Sequence, residues 1–173
     1  QFIADGDTTP AIADWTGFNT VNVANRARAR TYTITNNGNR TLTLTSINGS
    51  FVQITGSQSQ DFRVIQQPTG VLAPGQSTTF RVRFNPSAGG PRTATVSLVS
   101  NDPDEGTFDF AVRGQGKLAP IVQLWGNDER LFSTDLPSTL AGTQFGDVAA
   151  ASGAVVHTFT ITNIGSSDLT LKP

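Results

Sequence analysis

TYTITNNGNRTLTLT, Thr31–Thr45, decides the fold class. Tyr32 and Ile34 fall on one face of its first half, Leu42 and Leu44 on one face of its second, and threonines fill the other faces. Strict alternation is the period of a half-buried β-strand. Thr suits the wet face because its branched Cβ favours extended backbone. Between the runs, NNGN at Asn36–Asn39 supplies residues that tolerate positive φ.

The same period recurs outward from this stretch. FRVRF at Phe80–Phe84 alternates apolar side chains with Arg81 and Arg83. ATVSLV at Ala94–Val99 turns Ala94, Val96 and Leu98 inward, and TFDFAV at Thr107–Val112 does so with Phe108, Phe110 and Val112. APGQS (Ala73–Ser77), NPSAGGP (Asn85–Pro91) and NDPDEG (Asn101–Gly106) separate the runs as turns. No long stretch carries a helical period. Short strands with turns every ~8–12 residues predict an all-β, antiparallel β-sandwich.

Composition excludes more than it names. Of 173 residues, 36% are hydrophobic and 14% charged, enough apolar surface for a core and too little charge for disorder. Twelve Lys and Arg against thirteen Asp and Glu leave a net charge of −1, so no nucleic acid is expected as partner. The absence of Cys removes disulfides, thiolate metal sites and thiol nucleophiles. A single His, His157, argues against zinc sites and general-base chemistry. No run approaches the ~18–20 apolar residues of a membrane helix, so membrane insertion is not expected. No cofactor is expected either. The start at Gln1 suggests a processed or excised segment.

The chain also repeats itself. TYTITNNGNRTLTL, Thr31–Leu44, matches TFTITNIGSSDLTL, Thr158–Leu171, without a gap. One constant offset pairs Tyr32 with Phe159, Ile34 with Ile161, Gly38 with Gly165 and Leu42 with Leu169. It also pairs Pro10 with Pro137, Phe18 with Phe145 and Val21 with Val148. Shared core and turn residues at one offset are the mark of a tandem array. GQGKLAP, Gly114–Pro120, punctuates the boundary. The expected domains are a sandwich over 1–116, with its first strand present or missing, and a partial second repeat over 117–173.

By the same offset Gln1 corresponds to Asp128, so the counterpart of IVQLWGN, Ile121–Asn127, would precede Gln1. The expectation is a chain that enters and leaves in mid-repeat. Half a sandwich carries an uncovered apolar face and unpaired strand edges. It is completed by more of a longer array, by the rest of a longer protein, or by strands from neighbouring subunits.

A resemblance now adds to the pattern. DGDTTP (Asp5–Pro10), TGFNTV (Thr16–Val21), RTYTITNNGNRTLTLT (Arg30–Thr45) and DFRVIQQP (Asp61–Pro68) follow in order. LAPGQSTTFRVRFNPSAGGPRTATVSLVSNDPDEGTFDFAVRGQG (Leu72–Gly116) completes the series. Together they resemble the bacterial choice-of-anchor D repeats, which are similar to the abnormal-spindle/hydin class of immunoglobulin-like domains, with the major sperm protein fold as a further relative. The resemblance implies immunoglobulin-like sandwiches of seven or more strands, repeated in long secreted or surface-attached bacterial proteins. It implies no shared chemistry. DERLFSTDLPSTLAGTQF, Asp128–Phe145, departs from the pattern.

Candidate chemistry is sparse. His157 aligns with Arg30, and no G-x-S-x-G elbow accompanies it, so it reads as an ordinary strand residue rather than a catalytic base. The acids sit mostly in turns, where carboxylates are solvated or cap local N–H groups. Asp102, Asp104 and Glu105 form a weak calcium candidate, since a hard cation needs several oxygens from a short loop, and Asp5 and Asp7 form a weaker one. RGQGK, Arg113–Lys117, lacks phosphate-loop spacing and reads as a strand end plus linker. NRARAR, Asn25–Arg30, places Arg26, Arg28 and Arg30 on one face of a solvated strand start. Asn39-Arg40-Thr41 and Asn48-Gly49-Ser50 match the glycosylation sequon without further support. Trp15 and Trp125 sit near strand ends, where each would close a core or a joint, or stack a sugar.

The expected function is therefore non-enzymatic. The chain reads as a structural or adhesive module of a secreted or cell-surface bacterial protein, its partners like subunits or neighbouring repeats. One form of this is a filament subunit completed by strand exchange. Assembly is expected at two edge-bearing segments, Phe2–Ala4 with Phe2 and Ile3, and Ile121–Trp125 with Ile121, Val122, Leu124 and Trp125, and at Phe159, Ile161, Leu169 and Leu171 on the exposed strands Val156–Thr162 and Asp168–Leu171. The alternative is a carbohydrate- or protein-binding accessory domain of a large extracellular enzyme, with a surface glycan or protein as partner. A eukaryotic scaffold of cilia or centrosomes ranks last, because Lys is scarce.

Overall fold

The computed structural model describes residues 2–23, 27–148 and 153–172. Twelve strands and one short 3-10 turn (Ser59–Asp61) are present among them, with no α-helix. The chain divides into two units, Gln1–Lys117 and Leu118–Pro173.

The first unit is a β-sandwich. One sheet runs β1 (Gly17–Asn22), β9 (Thr107–Lys117), β8 (Gly90–Ser100), β3 (Leu42–Thr45), β6 (Val71–Leu72), with β4 (Val52–Thr55) also paired to β8. The other runs β2 (Arg28–Thr35), β7 (Ser77–Phe84), β5 (Phe62–Gln66). Most pairings are antiparallel; β1 joins β9 in parallel. The inner faces meet in an aromatic core. Phe18, Phe62 and Phe84 pack with centroids 4.8–5.8 Å apart, and Tyr32 packs on Phe80 and Phe110 at 5.1 and 5.3 Å. Val82, Val96 and Val112 are fully buried among them. Rings at these distances add to the burial energy of each large side chain.

Alternation places Tyr32, Phe80, Val82, Phe84, Ala94, Val96, Leu98, Phe110 and Val112 in the core as expected. Its pairing partners differ from simple adjacency. Thr31–Thr45 is not a hairpin, because β2 pairs β7 in one sheet and β3 pairs β8 in the other. NNGN is thus a crossover between sheets, and Asn36–Asn39 keep ordinary negative φ. Its geometry comes from the buried Asn36 side chain. Nδ2 donates to the carbonyls of Arg40 (2.7 Å) and Leu72 (3.0 Å), and Oδ1 accepts from the Gly38 N–H (3.0 Å). A side chain that satisfies backbone groups can set a turn without a positive φ.

RGQGK is the strand end expected of it, but the strand runs through all five residues to Lys117, so no linker lies within it. Glycine is required there by close packing. A Cβ on Gly114 would run into the Phe84 ring, and one on Gly116 into the Ala88 carbonyl. Asn48-Gly49, read as part of a sequon, forms a tight two-residue turn with both residues at positive φ, closed by mutual Ile47–Ser50 hydrogen bonds.

The second unit is one three-stranded antiparallel sheet in the order β11 (Glu129–Leu131), β10 (Val122–Gly126), β12 (Phe159–Asn163). Leu124 lies opposite both Leu131 and Ile161, so these three share a face with Val122 and Phe159. That face is largely bare: Val122 is 56% and Ile161 49% exposed. Ala141 is the one buried apolar residue of this unit among those described. The contrast at matched positions is direct, with Phe18 fully buried and its counterpart Phe145 48% exposed.

Candidate functional site

The sandwich of the first unit is open along one side. β2 is the outer strand of its sheet, paired only to β7. The Asn36 N–H donates to the Gln76 carbonyl in that ladder, so Arg30, Tyr32 and Ile34 direct their backbone groups to β7. Thr31, Thr33 and Thr35 direct theirs to the open side. A groove of about 920 Å³ runs along this edge, between the two sheets. Ile34, Phe80, Leu98, Phe108 and Phe110 form its floor, and Phe2 and Trp15 stand at its rim. Ile34 and Phe108 are half-buried for this reason, although alternation alone predicts full burial.

One end of the groove is built by Trp15. Its backbone is left-handed (φ 72°), and its carbonyl accepts the Tyr32 hydroxyl at 3.0 Å. The Arg30 guanidinium lies 4.4 Å from the Trp15 ring centre and donates to the Gly17 carbonyl. Arg30 is therefore held against an aromatic face rather than freely solvated. Arg28 is exposed, and Arg26 lies outside the described residues. Burial pushes the Tyr32 phenol far above its ordinary value; the Arg30 charge opposes this and Asp14 adds to it.

The other expected sites take these positions. Phe2 is exposed and Ile3 is partly buried against the core, and both line the groove. Residues after Ile3 add to β9 in parallel: the Gly6 N–H donates to the Asp109 carbonyl and the Ala111 N–H to the Asp7 carbonyl. Asp5 Oδ1 accepts from the Asp109 N–H. Thr9 donates its hydroxyl and its N–H to Asp7 Oδ1, which holds that carboxyl below the usual range. Asp102 Oδ1 accepts from the N–H groups of Asp104 and Glu105, an Asx turn within the β8–β9 hairpin. Among the described residues, no group of three His, Cys, Asp or Glu side chains is placed to hold a metal ion, so Asp102, Asp104 and Glu105 do not form a joint ligand set. His157 precedes β12, stacks on Phe145 at 4.3 Å, and donates from Nδ1 to the Gly142 carbonyl.

Ile121–Trp125 is the clearest correction. It was expected at an edge, but β10 is the central strand, flanked by β11 and β12. Its backbone groups are taken on both sides, and the open edges of that sheet belong to β11 and β12. Val122 and Leu124 lie on the bare face, and Trp125 lies on the opposite face beside Thr160. Leu169 and Leu171 lie beyond β12, outside any strand; Leu169 is half-buried and Leu171 exposed.

Two features were not anticipated. Cross-strand pairing gathers Arg63, Arg81 and Arg83 on the outer face of the β2-β7-β5 sheet, with Arg63 directly opposite Arg83. FRVRF and DFRV together carried that signal. The second feature is that the Asn36 turn is built twice. Asn163 Nδ2 donates to the Ser167 carbonyl at 2.7 Å and Asn163 Oδ1 accepts from Gly165 N–H at 3.0 Å, as Asn36 does with Arg40 and Gly38.

Comparison with known proteins places this architecture. Among solved structures, the chain is similar to a protein of unknown function from Porphyromonas gingivalis W83, at 19% identity over 57% of this chain and 42% of that one, TM-score 0.46. It is similar to the secreted serine protease VesC from Vibrio cholerae, at 22% identity over 60% of this chain and 22% of that one, TM-score 0.45. It is also similar to an ASH/PapD-like domain of human CEP192, at 15% identity over 58% of this chain and 82% of that one, TM-score 0.39. The chain thus spans less than half the length of the first two. No curated protein matches. The family model described as HYDIN/CFA65/VesB-like, Ig-like domain matches residues 16–115, from just before β1 to near the end of β9. The chain belongs to the HYDIN/CFA65/VesB-like family of Ig-like domains.

Proposed function

We propose that the chain is a non-catalytic, accessory Ig-like module of an extracellular bacterial protein, one of several set in series. The observation that carries this is the match of an Ig-like domain family to residues 16–115, a sandwich in which, among the described residues, no three His, Cys, Asp or Glu side chains are placed to hold a metal ion. In the first unit Asp5, Asp7, Asp14 and Asp102 accept from nearby backbone N–H groups, Asp61 accepts from the Ser87 N–H and pairs with Arg92, and the one His packs on Phe145. The family description, which names VesB, supports an accessory place in a larger protein. The twice-built Asn36/Asn163 turn supports a tandem arrangement, with 1–116 as one repeat and 117–173 as part of the next. The choice-of-anchor D resemblance supports a secreted or surface-attached setting. No helix among the described residues is long and apolar enough to cross a membrane.

A module of this kind holds neighbours apart and has no glycan specificity of its own. A glycan array probed with the whole chain, alongside Trp15→Ala and Trp125→Ala, tests that. No glycan signal is the expected result. A signal lost in either variant would replace the spacer by the carbohydrate-binding alternative.

A further inference from the structure

The two units treat one strand edge differently. In the second unit the Ile164 N–H donates to the Ile121 carbonyl, so Thr160 and Thr162 direct their backbone groups to β10. Their counterparts by the repeat offset are Thr33 and Thr35, whose backbone groups face the open groove. The edge that β10 occupies on β12 is thus the edge left open on β2. The second unit also shows what fills it. Leu124 lies opposite Ile161, Gly126 opposite Phe159, and the Ile121 N–H donates to Asn163 Oδ1 at 3.1 Å. The corresponding groove positions are Ile34, Tyr32 and Asn36, all on its lining.

We infer that the β2 edge of the first unit is an acceptor site for an extended peptide strand of the pattern aliphatic-x-aliphatic-x-Gly, running antiparallel to β2. Main-chain hydrogen bonds to Thr31, Thr33 and Thr35 supply affinity, and alternate side chains entering the groove supply selectivity. The two aliphatic residues lie opposite Asn36 and Ile34 and cover Phe108 and Leu98. The glycine lies opposite Tyr32, where its lack of a Cβ leaves room for the ring. At Gly126 a Cβ would run into the Ala141 carbonyl and would also stand 2.9 Å from the Phe159 ring. Asn36 Oδ1 takes the N–H that precedes the first aliphatic residue. This acceptor site does not depend on the spacer role proposed above.

The probe is a synthetic peptide of residues 121–127, Ile-Val-Gln-Leu-Trp-Gly-Asn, added to the whole chain at up to about 1 mM. Amide hydrogen exchange is read residue by residue. The amides of Thr31, Thr33 and Thr35 are expected to gain about tenfold protection, while those of Tyr32 and Ile34, already bonded to β7, do not change. A scrambled peptide with the two aliphatic residues adjacent is expected to give no protection. Thr33→Pro removes one free-edge N–H and leaves the β7 ladder intact, so it is expected to abolish the effect with the fold retained. Should that variant misfold, Ile34→Asp, which charges the groove floor, is the second test. Absence of protection, protection confined to β11 or β12, or closure of the β2 edge by self-association without peptide would each overturn the site.

Discussion

At the scale of single residues, the first unit depends on polar side chains that serve the backbone. Asn36 is buried and makes three hydrogen bonds across a sheet crossover. Asn36→Ala leaves two carbonyls and an N–H without their partner and is expected to cost about 2 kcal/mol, read as a lower urea midpoint with unchanged slope. Tyr32, the single tyrosine, gives a pH prediction. Its folded pKa lies above the ordinary value of about 10, so its contribution is complete below that pH. Above it the unfolded chain releases the proton while the folded chain keeps it, and stability falls as pH rises, by at most about 1.4 kcal/mol per unit. Tyrosinate absorbance is expected to appear with unfolding rather than ahead of it, and Tyr32→Phe is expected to flatten the alkaline decline.

At the scale of strands, alternation decided faces but not neighbours. Tyr32, Val96 and Phe110 were legible as core because period two fixes which side chains share a face. The partner of each strand was not legible, because the same alternation is compatible with any adjacent strand. Thr31–Thr45 therefore resembles a hairpin and yet spans two sheets, and Ile121–Trp125 resembles an edge and yet is central. The groove was invisible for a related reason: nothing in Ile34 or Phe108 marks them as less buried than Tyr32 or Phe110. The Asn36 bonds depend on Leu72, distant in sequence. Glycines in β9 carry a prediction at this scale. Gly114→Ala drives a methyl group into the Phe84 ring and is expected to cost about 1–3 kcal/mol. The same change at Gly75, where a Cβ meets nothing but φ is +76°, is expected to cost only the left-handed strain of about 1–2 kcal/mol. Thermal melts of the two variants separate overpacking from backbone strain.

At the scale of the whole molecule, the two units differ in what encloses their strands. The first has a two-sheet core of aromatic and branched side chains. The second has one sheet with Val122, Leu124 and Ile161 exposed on its apolar face. Three strands with an uncovered apolar face gain little of the burial that offsets chain entropy. Native-state hydrogen exchange across the full chain measures this difference directly. Amides of β8 and β9 are expected to exchange only through global unfolding, and those of β10 and β12 at least about a hundredfold faster, through local opening. Equal protection in both units would show that the second sheet is enclosed as fully as the first, and would contradict a chain with one two-sheet core.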